Sequence, residues 1–278
     1  MRAGWLGALA AFAAFTLLEH AEGRAWLTTY FDRFFGLARD AGTGLSLDLP
    51  TWRANAPWLT RMGRRDDLEP IHRQAADFLR ALMARHRDVP TVLNGLMGPM
   101  GDGYDPAQGV TKAEAVAAHA PQAAALAAVG AAIVTAMTMT TSAEAMGVLA
   151  AASGAGLPVV VSFTVETDGR LPSGQPLAEA IAEVDAEPVR PLWFMVNCAH
   201  PDHFRGKLRG DWCARIGGVR ANASRLSHAE LDVATELDDG DPEEFGGLYG
   251  DLLSRLPNLR LIGGGFGASH RYPTPPGQ

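Results

Sequence analysis

Pro158-Val159-Val160-Val161-Ser162-Phe163 reads as a strand that is apolar on both faces. A strand with one wet face alternates polar and apolar residues, and this run does not. A parallel strand buried under helices on both sides is therefore the reading. Outward from it the chain keeps one grammar, in which short apolar runs end in polar or glycine-rich turns and are separated by stretches of helical period. Upstream lie strands at 44–49, 91–96 and 132–137. Downstream lie strands at 192–197, 218–221 and 259–262. Helices are predicted at 23–41, with Trp26, Tyr30, Phe34 and Leu37 as the buried stripe, and around Leu68, Ile71, Ala75, Leu79 and Leu82. Another runs from an N-cap at Thr111, with Glu114 completing a capping box, to about Val129, and further helices fall at 143–153, 177–184, 204–216 and 242–255. Seven βα units predict the α/β class and a (β/α)8 TIM-type barrel short of one strand, with a doubly wound open sheet as the runner-up. No Gly-x-Gly-x-x-Gly opens a helix after the first strand, which weighs against a dinucleotide site.

Composition narrows the function. With 24 basic against 31 acidic side chains the chain carries a formal charge of −7 and has no basic run, so no phosphate footprint for nucleic acid is present. An apolar share of 47% against 20% charged residues supports a large core and excludes disorder. Two cysteines, Cys198 and Cys213, are too few for a disulfide framework and suit a reducing, cytoplasmic location. Arg2 and the apolar stretch 5–18 imitate a secretory signal, but Glu19-His20 ends it short of the ~20 residues of a membrane span, and a core-facing segment is the simpler reading. The expected organisation is an apolar N-terminal segment at 1–22, one barrel domain at 23–270 and a proline-rich tail at 271–278.

In a parallel α/β fold the chemistry sits on the loops after the strand C-termini. Cys198 follows a strand, with His200 and His203 close behind. The trio suits a nucleophile, a soft metal ligand, or a small buried thiol beside two loop histidines. Cys-x-His-x-x-His is incomplete as a zinc motif unless Cys213 turns inward. Glu166 and Asp168 form either an acid/base pair or, through Thr167-Asp168-Gly169-Arg170, a turn. Asn222 and Arg225 either anchor a substrate carboxylate or tie a strand end to its neighbours. Met137 and Met139 read as packing.

Val196-Asn197-Cys198-Ala199-His200-Pro201, followed by Gly263-Gly264-Gly265-Phe266-Gly267-Ala268-Ser269-His270, resembles the homocysteine S-methyltransferase family. Gly98-Pro99-x-Gly101-Asp102, Ser162-Phe163-Thr164-Val165-Glu166 and Gly218-Val219-Arg220-Ala221-Asn222 support the likeness, which spans roughly residues 10 to 270. It implies a (β/α)8 barrel with a zinc ion held by three cysteine thiolates, one in an Asn-Cys motif and two in Gly-Gly-Cys-Cys-Gly. That zinc binds homocysteine as a thiolate, which attacks a methyl donor such as S-methylmethionine to give methionine. Cys198 matches the first ligand, whereas Gly265 and Phe266 stand at the other two, and His200 and His270 are the candidate replacements. By the same resemblance Asn197, Glu166, Asn222 and Arg225 lie near the substrate. The family's first-strand Thr-Asp-Gly-Gly has no match before Trp5, Met137 stands where many members carry an acidic residue, and a tail replaces the last helix. A barrel without its first strand and last helix exposes strand edges, to be covered by the 5–18 segment or by a partner such as a second copy, unless the reading frame is itself incomplete.

Three functions follow. The first is a zinc-dependent homocysteine methyltransferase; the second is a catalytically inactive barrel that binds an amino acid or another subunit; the third is a metal-free enzyme using Cys198 as nucleophile beside His200.

Overall fold

The computed structural model describes residues 13–103, 109–236 and 238–265. Two compact units divide it, the first drawn mainly from the chain up to Met100 with Thr111–Ala136 and Gly147–Val159, the second from Met137–Met146 and Val160 onward.

In the first unit a 3-10 turn at Ala14–Glu19 buries Phe15, Leu17 and Leu18, and Phe15 packs with Ala13, Ala54, Leu59 and Ile71. The described part of the apolar N-terminal stretch thus faces a core, as read; the rest of that stretch lies outside the described residues. Helix α1 (Ala21–Asp40) follows at once. Gly23 is obligatory there, because a Cβ would collide with the Leu17 carbonyl. The helix buries Leu27, Phe31, Phe35 and Ala38. The predicted stripe is one residue out of phase: Trp26 is 58% and Tyr30 40% exposed, and their rings stack on the outside at 5.7 Å. Both diagonals keep the i, i+4 spacing, so periodicity finds the apolar sector but not which of its edges docks.

Strand β1 (Leu45–Asp48) leads to α2 (Ala56–Arg61). This short helix is missing from the prediction, although Asn55 caps it by accepting from the Trp58 amide at 3.1 Å and a proline opens its first turn. Then come α3 (Leu68–Arg85), β2 (Thr91–Met97), α4 (Lys112–Ala128), β3 (Ile133–Met139) and α5 (Ser142–Gly154). Both halves of the Thr111/Glu114 capping box are present.

The second unit holds β4 (Val159–Thr164) from its second residue on, α6 (Leu177–Asp185), β5 (Phe194–Asn197), α7 (Pro201–Phe204), β6 (Ile216–Ala221), α8 (His228–Val233), α9 (Pro242–Arg255) and β7 (Leu261–Gly264). Every residue of β4 is buried, as its sequence requires. At about 1.5–3 kcal/mol for each fully buried Val or Phe, this strand is a large contributor to the core. The helix expected at 204–216 is not formed. Pro201 starts α7 three residues early, two 3-10 turns follow at Arg205–Lys207 and Asp211–Arg215, and Gly210 between them sits at φ +101°, outside any helix.

All seven strands are parallel and each neighbours its successor in sequence. A doubly wound sheet reverses its order at a switch point, and no such reversal occurs among these strands, so the runner-up architecture is excluded. Tyr249 of α9 stitches the last pair together: its hydroxyl donates to the Gly263 carbonyl at 2.5 Å and accepts from the Ala221 amide at 3.0 Å. Burial raises the pKa of this phenol, keeping it a neutral donor.

Candidate functional site

The strand ends of the second unit bring together one polar cluster. Asn197, the last residue of β5, is 2% exposed, and its carboxamide is fully engaged. Its Oδ1 accepts from the Thr138 amide at 3.2 Å and the Ser162 hydroxyl at 2.5 Å, while its Nδ2 donates to Thr138 Oγ1 at 2.9 Å and Cys198 Sγ at 3.1 Å. Among the described residues the two non-glycine residues with positive φ, Thr138 at +65° and Cys198 at +55°, are both held by this one amide. A β-carbon in the left-handed region costs of order 1–3 kcal/mol and persists only where the surroundings over-determine it.

Cys198 is half-buried. Its amide continues the ladder to the Arg220 carbonyl at 3.1 Å, and its carbonyl accepts from His228 Nε2 at 2.6 Å. His228 Nδ1 in turn meets Glu166 Oε1 at 3.0 Å. The sequence reading missed His228, although Ser227-x-x-Glu230 is a capping-box signature that marks a helix starting at that residue, and both halves of the box are formed.

Glu166 is therefore paired with a histidine and not with Asp168. Asp168 makes the turn that was the alternative: its Oδ1 accepts from the Arg170 amide at 3.0 Å, and Gly169 at φ +78° bonds back to the Glu166 carbonyl at 2.9 Å. His200 caps α7, its Nδ1 accepting from the Asp202 amide at 3.2 Å, and its ring is 2% exposed. Burial, helped by the nearby Arg225 charge, pushes its pKa down to about 4. The nitrogen lone pair is thus committed to the helix cap. The imidazole that reaches residue 198 is that of His228, and it meets the carbonyl rather than the sulfur.

Arg225 stands apart from this cluster. Its fork is bidentate on Glu244 at 2.6 and 3.0 Å, and its Nε donates to Asp202 at 2.8 Å. These hydrogen bonds raise its pKa, and together with the Arg205 charge they outweigh burial and hold the Asp202 carboxyl low. Asn222 is buried, its amide donating to the Ala199 carbonyl at 3.0 Å. Its side-chain Oδ1 borders Gly265, where an added Cβ would come within 2.5 Å of that oxygen and 3.2 Å of the Ala221 and Arg220 carbonyls. Met137 and Met139 are buried packing residues, and Cys213 is buried with its thiol pKa raised by burial. Phe266 and His270 lie outside the described residues.

A chain of parallel strands in sequence order, with polar groups gathered on the strand ends, is what a TIM-type barrel protein presents. The sequence matches the family model for homocysteine S-methyltransferase over residues 47–272, and the chain belongs to that family. Two crystal structures of the homocysteine methyltransferase MmuM from Escherichia coli share its fold. The oxidized form has a TM-score of 0.71 at 16% identity, covering 94% of this chain and 85% of that one. The metallated form has a TM-score of 0.67 at 15% identity, covering 90% and 86%. A search of curated proteins finds no matching relative.

The residues present do not fit the three-thiolate zinc that the resemblance implies. Gly265 and Phe266 have no donor atom, and the space a side chain at 265 would need is bordered by the Asn222 carboxamide. Among the described residues, no group of three or more His, Cys, Asp or Glu side chains converges as a metal site.

Proposed function

We propose that this protein is a member of the homocysteine methyltransferase family that binds a small thiol-bearing amino acid at the Cys198 mouth and does not perform zinc-dependent methyl transfer. The observation that carries this reading is Gly265 against Asn222, where a ligating side chain would stand. A single thiolate holds zinc far more weakly than three, since structural zinc sites are worth about 10–16 kcal/mol through their full ligand sets. Glu166, 34% exposed and oriented by His228, supplies a carboxylate suited to an ammonium group. Asn222 lines the opposite strand end, while Asn197 and Arg225 hold the framework rather than the ligand, because their hydrogen-bonding groups are already taken.

The test is elemental analysis of the purified chain after dialysis against a mild chelator, together with calorimetric titration of homocysteine and an assay of methyl transfer from S-methylmethionine. Zinc well below one per chain, homocysteine binding, and no methionine formed with added zinc are expected. About one zinc per chain that disappears in Cys198→Ala, with turnover, would restore the methyltransferase reading and show that replacement ligands exist.

A further inference from the structure

We infer that His228 is the positioning residue of the Cys198 mouth, one ring that fixes the backbone of the cysteine and the carboxylate of Glu166 relative to each other. A backbone carbonyl can only accept, so the 2.6 Å contact places the hydrogen on His228 Nε2. The 3.0 Å contact from Nδ1 to Glu166 Oε1 engages the other ring nitrogen, so both edges of the imidazole are held. His228 is 7% exposed, so its bond to the Cys198 carbonyl is shielded from water, while Glu166, 34% exposed, presents the wet side of the pair.

The consequence is geometric. Cys198 is pinned at three atoms: its amide to Arg220, its sulfur to Asn197, and its carbonyl to His228. The first belongs to the strand ladder and would survive a rotation of the following peptide, while the sulfur contact lasts only as long as the turn keeps its shape. The His228 bond would be broken by that rotation, because it fixes the direction of the Cys198 carbonyl and so the plane of the peptide that follows. Glu166 arrives from the loop after β4 and His228 from the start of α8, so the ring ties the loops of three strands at the point where the thiol emerges.

This inference rests on the reading of the Cys198 mouth as the ligand site, and its test uses no ligand, so the two fail separately. Native protein is alkylated with iodoacetamide, and modification of Cys198 is followed by peptide mass spectrometry. Buried Cys213 serves as the internal reference for general loosening. In His228→Phe, Cys198 should react at least fivefold faster while Cys213 is unchanged, because the freed turn releases the thiol from Asn197. A glutamine carries its amide nitrogen where Nε2 lies, and an asparagine where Nδ1 lies. His228→Gln should therefore return the Cys198 rate to within twofold of wild type, and His228→Asn should not. If the phenylalanine variant does not fold, the Gln/Asn comparison decides alone. An unchanged Cys198 rate in folded His228→Phe, a parallel rise at Cys213, or rescue by Asn as good as by Gln would each overturn the assignment.

Discussion

Asn197 grips Thr138 by both ends of its carboxamide, accepting from the Thr138 amide at 3.2 Å and donating to its hydroxyl at 2.9 Å, across 59 residues of sequence. Thr138 sits at φ +65°, and the same amide reaches the sulfur of Cys198, itself at φ +55°. Two backbone positions that a β-carbon disfavours are thus held by one buried side chain. Asn197→Ala leaves the Thr138 amide and the Ser162 hydroxyl without their acceptor. A loss of about 2–4 kcal/mol in urea unfolding is expected, against about 1 kcal/mol for Ser162→Ala, since an orphaned buried group costs more than a missing partner. Equal losses would mean that the turns hold themselves.

Tyr249→Phe tests the tie between β6 and β7. The Ala221 amide and Gly263 carbonyl both lose the hydroxyl, and the ring still fills its space. A destabilisation of about 1–3 kcal/mol is expected from the denaturant midpoint, with amide exchange in residues 261–264 accelerating more than in β4. Uniform acceleration would show that Tyr249 is an ordinary core ring.

Acid should act through His72. This ring is fully buried in α3, donates Nδ1–H to the Leu68 carbonyl at 2.7 Å, and leaves Nε2 without a hydrogen-bond partner. Burial lowers its pKa to about 4. The folded state therefore disfavours the proton that the unfolded chain accepts near pH 6.5. Its contribution to stability is intact above that pH and is lost as pH falls toward 4, by up to about 3 kcal/mol. His72→Phe should flatten the fall in stability between pH 7 and pH 4.5; an unchanged slope would place the acid sensitivity in other groups.

Arg225→Ala should matter little. Its partners Glu244 and Asp202 are at the surface, where ion pairs are worth about 0–1 kcal/mol. The midpoint should shift by less than about 1 kcal/mol and homocysteine affinity should stay within threefold. A tenfold loss of affinity would return Arg225 to the ligand, as a carboxylate anchor.

Gly265→Ala probes the space where the family carries a ligand. The new methyl must displace the Asn222 carboxamide, so a cost of about 1–3 kcal/mol is expected. Asn222→Gly in the same chain should recover most of it. Gly265→Ala at no cost would mean that the pocket is open to a side chain.

Much of the fold was readable from residue order, and for local reasons. Val159 to Phe163 can only be a strand covered on both faces, Thr111 and Glu114 write their own helix start, and Asp241-Pro242 opens α9 where the cap chemistry says it should. The misreadings came where the decision was not local. The choice between the Trp26 and Leu27 stripes depends on which edge of α1 meets its neighbours. The failure of a helix at 204–216 depends on Gly210 adopting a backbone angle that a helical period does not reveal.

For the site, sequence alone determined the cysteine at the end of β5, the family, and the absence of donor atoms at 265 and 266, because these are matters of residue identity in a motif. Tertiary structure decided what those residues do. It spent the hydrogen bonds of Asn197 on Thr138 and Ser162, turned His200 into a helix cap, and paired Glu166 with His228 rather than Asp168. It also set Asn222 against Gly265. Hydrogen-bond partners 30 to 62 residues apart are chosen by how the strand ends converge, and that convergence is a property of the folded sheet which no local pattern encodes.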